Sequence, residues 1–292
     1  MDGAPLRVGV VGGGLMGSGI AEAAARAGHG VALFEPVASA RAAALARIEA
    51  STARAVAGGK LDEPARGALL ARIDRVEELA ALADRELVIE AVSEDVEIKL
   101  GVFRELDAIA PAGAILASNT SSIPIARLAG VVADPARVLG LHFFSPVPVM
   151  PLIEIVRALE TREEAIAAAE RFAASLGKGT IASPDRAGFI VNMLLVPYLC
   201  AAARMLEEGF ASREDIDAGM RVGCAHPMGP LTLCDFIGLD IVVAVCDALY
   251  DEFRRPELVA PPLLRRMLAA GRLGRKSGRG FYTYEAGRMF GA

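Results

Sequence analysis

Residues 6–11, Leu-Arg-Val-Gly-Val-Val, run without a spacer into Gly12-Gly13-Gly14-Leu15-Met16-Gly17, and an alanine-rich apolar stretch, Ile20 to Ala27, follows. No other segment restricts the fold so strongly. A short apolar run ended by glycine reads as a buried strand, and the stretch from Ile20 reads as a helix that Gly28 is placed to end. Between them the glycines fit G-x-G-x-x-G in the context that gives this pattern meaning, a strand turning directly into a helix. Gly12 suits the tight turn, Gly14 lets the backbone approach a pyrophosphate, and Gly17 permits close packing of helix on strand. The N-terminus of that helix presents free N–H groups and the positive end of its dipole to phosphates. The competing reading is a glycine turn with no ligand.

Glu35 ends the second apolar strand, Val31 to Phe34, 18 residues after Gly17. An acidic side chain there bonds the adenosine ribose hydroxyls and repels a 2′-phosphate, which favours NAD over NADP. FAD shares the fingerprint, but the further segments typical of flavoproteins are not found.

Beyond this point strands and helices alternate. A helix is expected over Ala38 to Val56, ending at Gly58-Gly59, and another after Asp62 with Pro64 in its first turn. Leu87 to Val92, Ala114 to Ala117, Arg137 to Phe144 and Leu152 to Val156 read as strands, with helices over 96–109 and 163–176. That order implies crossover units and a mostly parallel, Rossmann-type sheet. After Ser183-Pro184-Asp185 the pattern is helical, over about 188–208, 212–222, 238–253 and 261–270. The expected organisation is α/β over residues 1–184 and all-α over 185–292, with Pro184 as hinge. No internal repeat is visible.

Composition removes several function classes. A net charge of −5 gives no basic footprint for nucleic acid. Four cysteines without CxxC spacing and three histidines argue against a zinc cluster, so no metal is expected. The apolar stretch 189–203 holds Asn192 and Pro197 and is short of the ~20 residues of a spanning helix. Free thiols and a start without signal-peptide architecture point to the cytoplasm.

Among the histidines, His29 lies in the turn Gly28-His29-Gly30 and is expected to be exposed. His226, before Pro227, suits a structural turn. His142 ends an apolar strand, at the sheet edge where ligands of open α/β sheets collect. Glu154 is embedded in Pro-Leu-Ile-Glu-Ile-Val, where a buried carboxylate needs a partner. Bonded to one imidazole nitrogen, it would fix the tautomer and steady the imidazolium; the alternative is an ordinary strand carboxylate facing water. Ser118-Asn119-Thr120-Ser121-Ser122 follows another strand on the same edge, with hydroxyls that suit a substrate oxygen or a helix cap. Asn192 sits in an apolar helix and must be hydrogen-bonded to protein or to substrate.

Taken together, GGGLMGSGIA (12–21), SNTSS (118–122), GLHFFSPVPVMPLIEIV (140–156), GFIVNMLLVPYL (188–199), HPMGPLTLCDFIGLD (226–240) and GRKSGRGFY (274–282) closely resemble the L-3-hydroxyacyl-CoA dehydrogenases, over essentially the whole chain. The resemblance implies His142 as catalytic base and Glu154 as its orienting partner, with Ser121 and Asn192 near the reacting oxygens. It implies that Glu94, Lys99 and Lys276 contact NAD, beside Gly12, Gly14, Leu15, Met16, Gly17 and Glu35. It further implies a homodimer made by the helical domain, with an acyl thioester in the cleft between domains and Ser51, Lys60 and Ser145 on the substrate side.

Two departures fall where this family holds coenzyme A. Its members usually have Asn where this chain has Ser145, and a KKGK-like run where it reads Ala57-Gly58-Gly59-Lys60. A lost cation weakens the grip on phosphate. Two accounts stay open: drift compensated by Lys60 or Arg54, and an acyl group delivered on an acyl carrier protein or as a free hydroxy acid. A non-catalytic NAD-binding protein is the reading from another class, and it expects a damaged catalytic set.

Overall fold

A computed structural model describes residues 4–284. The chain forms two compact units, one up to Arg186 and one from Ala187 onward. Asp185 belongs to the first, because its carboxylate accepts the backbone N–H groups of Ile125 and Ala126 at 2.6 and 2.7 Å. The expected hinge residue, Pro184, is the last residue of a strand.

The first unit is built on eight strands: β1 (Arg7–Val11), β2 (Gly30–Phe34), β3 (Ile73–Val76), β4 (Leu87–Glu90), β5 (Ile115–Ser118), β6 (Val138–Phe143), β7 (Leu152–Arg157) and β8 (Gly179–Pro184). Their order across the sheet is β3-β2-β1-β4-β5-β6-β7-β8. Every neighbouring pair is parallel except β6 with β7. Helices α1 (Leu15–Arg26), α2 (Ala38–Ala57), α3 (Glu63–Leu70), α4 (Val96–Ile109), α5 (Ile125–Ala129) and α6 (Glu163–Ser175) connect them. Central strands such as Leu-Val-Ile-Glu of β4 are buried on both faces, which is why they are apolar runs rather than alternating ones. Helix α3 starts where Asp62 caps it, accepting the Ala65 N–H at 2.7 Å.

Strands β3 and β8 were not among the expected elements. Each is a sheet edge and half exposed, so Ile-Asp-Arg-Val and Gly-Thr-Ile-Ala-Ser-Pro carry little of the apolar signal that marks a strand. His29 is a second correction, because it is buried, at 3% exposure, rather than exposed. Its Nδ1 accepts the Leu6 N–H at 3.0 Å, its Nε2 lies 2.8 Å from Ser175 Oγ, and its ring packs on Phe172. The turn folds inward because this imidazole fills the space between the start of β2 and the end of α6.

The second unit is helical: α7 (Val191–Glu207), α8 (Arg213–Ala218) continued by a π turn (Gly219–Gly223), α9 (Pro230–Ile237), α10 (Leu239–Phe253) and α11 (Pro262–Ala269). Helix α9 was not expected, since prolines and glycines punctuate its surroundings. Pro230 stands at its first position and Asp217 supplies the cap from α8, taking the Leu231 and Thr232 N–H groups at 2.7 and 3.0 Å. Asp235, at 1% exposure, joins two of the segments that carry the resemblance, HPMGPLTLCDFIGLD and GRKSGRGFY. It accepts the N–H groups of Phe281 and Tyr282 at 2.9 Å and the Tyr284 hydroxyl at 2.9 Å. His226 meets the Tyr198 hydroxyl at 3.3 Å and so has a structural bond. Among the described residues no helix is long and apolar enough to cross a membrane.

Candidate active site

Strands β1 to β6 run parallel, so Gly12, Glu35, Ser118 and His142 all come to one edge of the sheet. The strand order reverses between β1 and β4, the switch point where such sheets bind ligands. Sequence residues far apart are thereby collected along one lip.

The glycine turn divides into two kinds of position. At Gly12, which has φ +105°, a Cβ would meet the Ala91 carbonyl oxygen at 2.7 Å; at Gly17 it would lie 1.9 Å from the Gly12 oxygen. Those two glycines are required by the protein itself. Around Gly14 a Cβ would meet nothing within 4 Å, so its backbone is open at the start of α1, where Gly14 makes no side-chain cap. The first-turn N–H groups of α1 have no partners within the helix. An open backbone, unpaired donors and the positive dipole end fit the pyrophosphate of a dinucleotide. Glu35 closes the turn from the end of β2: its Oε2 accepts the Gly13 N–H at 3.0 Å and its Oε1 the Val37 N–H at 3.2 Å. Its carboxylate thus faces the turn as a ribose-binding group must, and NAD fits these residues.

His142 and Glu154 are register partners across the antiparallel pair β6–β7. Both are buried, and His142 Nδ1 lies 2.6 Å from Glu154 Oε2. With the Glu154 oxygen as acceptor, this bond calls for the proton on Nδ1, the tautomer that leaves the lone pair on Nε2. The imidazole also stands edge-on to Phe144, with ring centroids 4.8 Å apart.

The 118–122 loop is organised by two carboxylates. Glu94 Oε1 accepts the Thr120 hydroxyl at 2.6 Å, the Ser122 hydroxyl at 2.8 Å and the Ser121 and Ser122 N–H groups at 3.1 and 3.2 Å. Burial pushes the Glu94 carboxyl up, but Lys99 and those hydrogen bonds outweigh it and hold it below the usual range. Glu90, fully buried, accepts the Ser118 hydroxyl at 2.6 Å and the Lys99 ammonium at 2.6 Å.

This geometry agrees with what the chain is similar to. Residues 7–186 match the family model of the 3-hydroxyacyl-CoA dehydrogenase NAD-binding domain, and residues 188–284 match the C-terminal domain of the same family. The chain belongs to the 3-hydroxyacyl-CoA dehydrogenase family. It is 53% identical to the 3-hydroxybutyryl-CoA dehydrogenase of Mycobacterium tuberculosis over 97% of this chain and 100% of that one. Among solved structures, M. tuberculosis FadB2 superposes with a TM-score of 0.95 at 53% identity, covering 97% of this chain and 100% of that one. The (S)-3-hydroxybutyryl-CoA dehydrogenase PaaH1 of Ralstonia eutropha gives a TM-score of 0.91 at 42% identity, covering 97% and 100%. The family is one of NAD-dependent oxidoreductases acting on a CH–OH group, and that class covers this chain.

The other expected residues of this dehydrogenase are placed as follows. Lys99, at 1% exposure, has its ammonium taken by Glu90 and by Glu94, the latter at 3.3 Å. Ser51 donates its hydroxyl to Glu22 Oε1 at 3.1 Å; burial raises the Glu22 carboxyl, partly offset by that bond and by Arg26 and Arg54. Lys60 is exposed just past α2, with its carbonyl bonded by Arg26 at 2.6 Å. Ser145 is exposed between Phe144 and Pro146. In the second unit, Asn192 is the second residue of α7, half-buried, and Lys276 pairs with Asp240. Glu90 is not among the sequence candidates, and Asn119 enters them only as part of the 118–122 loop. Glu90 carried a usable signal, the same one that exposed Glu154: a carboxylate inside an apolar strand.

Proposed function

We propose that this chain interconverts a short-chain (3S)-3-hydroxyacyl-CoA and the 3-oxoacyl-CoA with NAD⁺ and NADH, His142 serving as the general base in oxidation and the acid in reduction. The observation that carries the reading is the 2.6 Å His142–Glu154 pair on the sheet edge that holds the open glycine turn. NAD supplies the hydride-accepting chemistry when bound. In oxidation His142 Nε2 takes the proton of the C3 hydroxyl, while Glu154 holds the ring in the required tautomer and offsets the charge it acquires. Ser121 and Asn192 bond the substrate oxygens. Gly12, Gly14, Leu15, Met16 and Gly17 receive the pyrophosphate, Glu35 the adenosine ribose, and Glu94 and Lys276 the rest of the cofactor. Lys99 acts through Glu94, because its ammonium is already committed. Ser51, Lys60 and Ser145 lie on the thioester side. A homodimer and a cytoplasmic setting complete the reading.

One observation favours a second substrate form. The segment after α2 exposes Gly58, Gly59 and Lys60, a single cation where a CoA phosphate grip would call for several. An acyl group on a carrier protein needs no such grip. NADH oxidation followed with acetoacetyl-CoA, and separately with acetoacetyl carrier protein, separates the two. Fast turnover on CoA supports the leading reading, and turnover confined to the carrier rejects it. Loss of turnover in His142→Ala with NADH binding retained supports the base assignment.

A further inference from the structure

Strand β6 outlasts its neighbour. Its pairing with β5 ends at Ser118↔Gly140, yet it runs on through Leu141, His142 and Phe143, held on the other side by β7. On the β5 side a backbone donor of this extension still needs an acceptor. Asn119 supplies it: its Oδ1 accepts the Phe143 N–H at 2.9 Å. Since that donor requires an acceptor, the oxygen end of the carboxamide is assigned to it by the bond itself.

Asn119 is fixed on its other side as well. Its own N–H donates to the Glu90 carbonyl at 2.8 Å, extending the β4–β5 ladder by one residue. Immediately before it, the Ser118 hydroxyl bonds the Glu90 carboxylate at 2.6 Å and receives the Thr120 N–H at 3.1 Å. Beyond it, Glu94 gathers Thr120, Ser121 and Ser122. Glu90 and Glu94 are in turn bridged by the Lys99 ammonium at 2.6 and 3.3 Å. The loop bearing Ser121 is thus one hydrogen-bonded body, and the Asn119 side chain fastens it to the residue next to His142.

We propose that Asn119 is a positioning residue, whose carboxamide sets the spacing between the Ser121 hydroxyl and the His142 imidazole by splicing the loop to β6. The inference rests on the dehydrogenase reading above. Holding two reacting groups in register lowers the barrier, and a shift of ~1 Å slows the step about 100-fold. The Asn119 carboxamide oxygen is committed to the Phe143 N–H, so its removal is expected to act on the chemical step rather than on cofactor binding.

The test compares two variants of the full chain. Asn119→Leu keeps the volume and removes the acceptor; Asn119→Asp keeps an oxygen in the same place. Amide exchange at Phe143, measured by NMR, reads the bond without any turnover. Faster exchange in Asn119→Leu, near the parent rate in Asn119→Asp, is expected. For acetoacetyl-CoA reduction, kcat in Asn119→Leu should fall between about tenfold and 100-fold, with KM and the NADH dissociation constant within about twofold of the parent. Asn119→Asp should recover most of the loss. Unchanged Phe143 exchange, an unchanged kcat in Asn119→Leu, or weakened NADH binding instead of kcat would each overturn the proposal. Full activity in His142→Ala would overturn the base assignment instead, and the Phe143 exchange would still report whether Asn119 makes the splice.

Discussion

His142 and Glu154 face each other at 2.6 Å across the antiparallel pairing of an otherwise parallel sheet. The reversal at β7 brings a carboxylate 12 residues further along the chain directly beside the histidine, without a long loop. Being on paired strands, neither residue can drift from the other without breaking the ladder, which suits a proton-transfer pair that must keep one tautomer.

On the proposed mechanism, replacing Glu154 by Gln keeps the size but removes the charge that would offset an imidazolium at His142. We expect kcat for acetoacetyl-CoA reduction to fall by about 100-fold or more, within the range associated with acid–base catalysis, while NADH affinity holds. Stopped-flow NADH oxidation measures the first and fluorescence titration the second. Parent-like turnover would remove Glu154 from the chemistry.

Two glycines three positions apart should fail in opposite ways. In Gly17→Ala the new Cβ collides with the Gly12 carbonyl, so the melting temperature drops and NADH binding is lost with it. In Gly14→Ala the methyl group meets no protein atom, and the backbone there, φ −65° and ψ −169°, accepts alanine. Its melting temperature should match the parent while NADH affinity falls about tenfold or more. A destabilised Gly14→Ala would show that the open face serves the fold.

On the proposed ribose role, Glu35→Ala should weaken NAD by about tenfold and narrow the gap between NADH and NADPH, since a carboxylate at that position repels a 2′-phosphate. Titration with both reduced cofactors checks this. An unchanged preference would place the discrimination elsewhere.

Burial holds the His29 imidazole below the usual histidine range. The unfolded chain, with an ordinary value of about 6.5, therefore binds the proton first as pH falls. His29 contributes its full stability above that pH, and the contribution declines as pH drops toward the lower folded value. Chemical denaturation between about pH 7.5 and 5 should show this slope, and His29→Phe, less stable overall because Leu6 and Ser175 lose a partner, should show a flatter one. Equal slopes would mean another group governs the acid side.

The strand–glycine–helix junction at 7–26 could be read directly because its signals are local: an apolar run, a forced turn and a helix start within a few residues. Glu154 was legible for a similar reason, as a carboxylate in an apolar strand. Strands β3 and β8 were not, because edge strands are stabilised by ladder bonds to a neighbour and carry little apolar pattern of their own. Asn119 was named only as part of a polar loop. Its task exists because β6 continues past the end of β5, a fact of register with no counterpart in spacing.

Residue types and their order, then, decided which groups of this dehydrogenase could do chemistry and which elements would carry them, since propensity, turn geometry and the cost of burying charge act over short stretches. Which of those groups meet was left to the sheet. Hydrogen bonds between strands far apart in sequence put Glu154 beside His142, committed Lys99 to Glu90 and Glu94, turned His29 inward and brought Asn119 to Phe143. Pairings of that kind depend on how long each strand runs beside its neighbour, and this is settled only when the whole sheet is assembled.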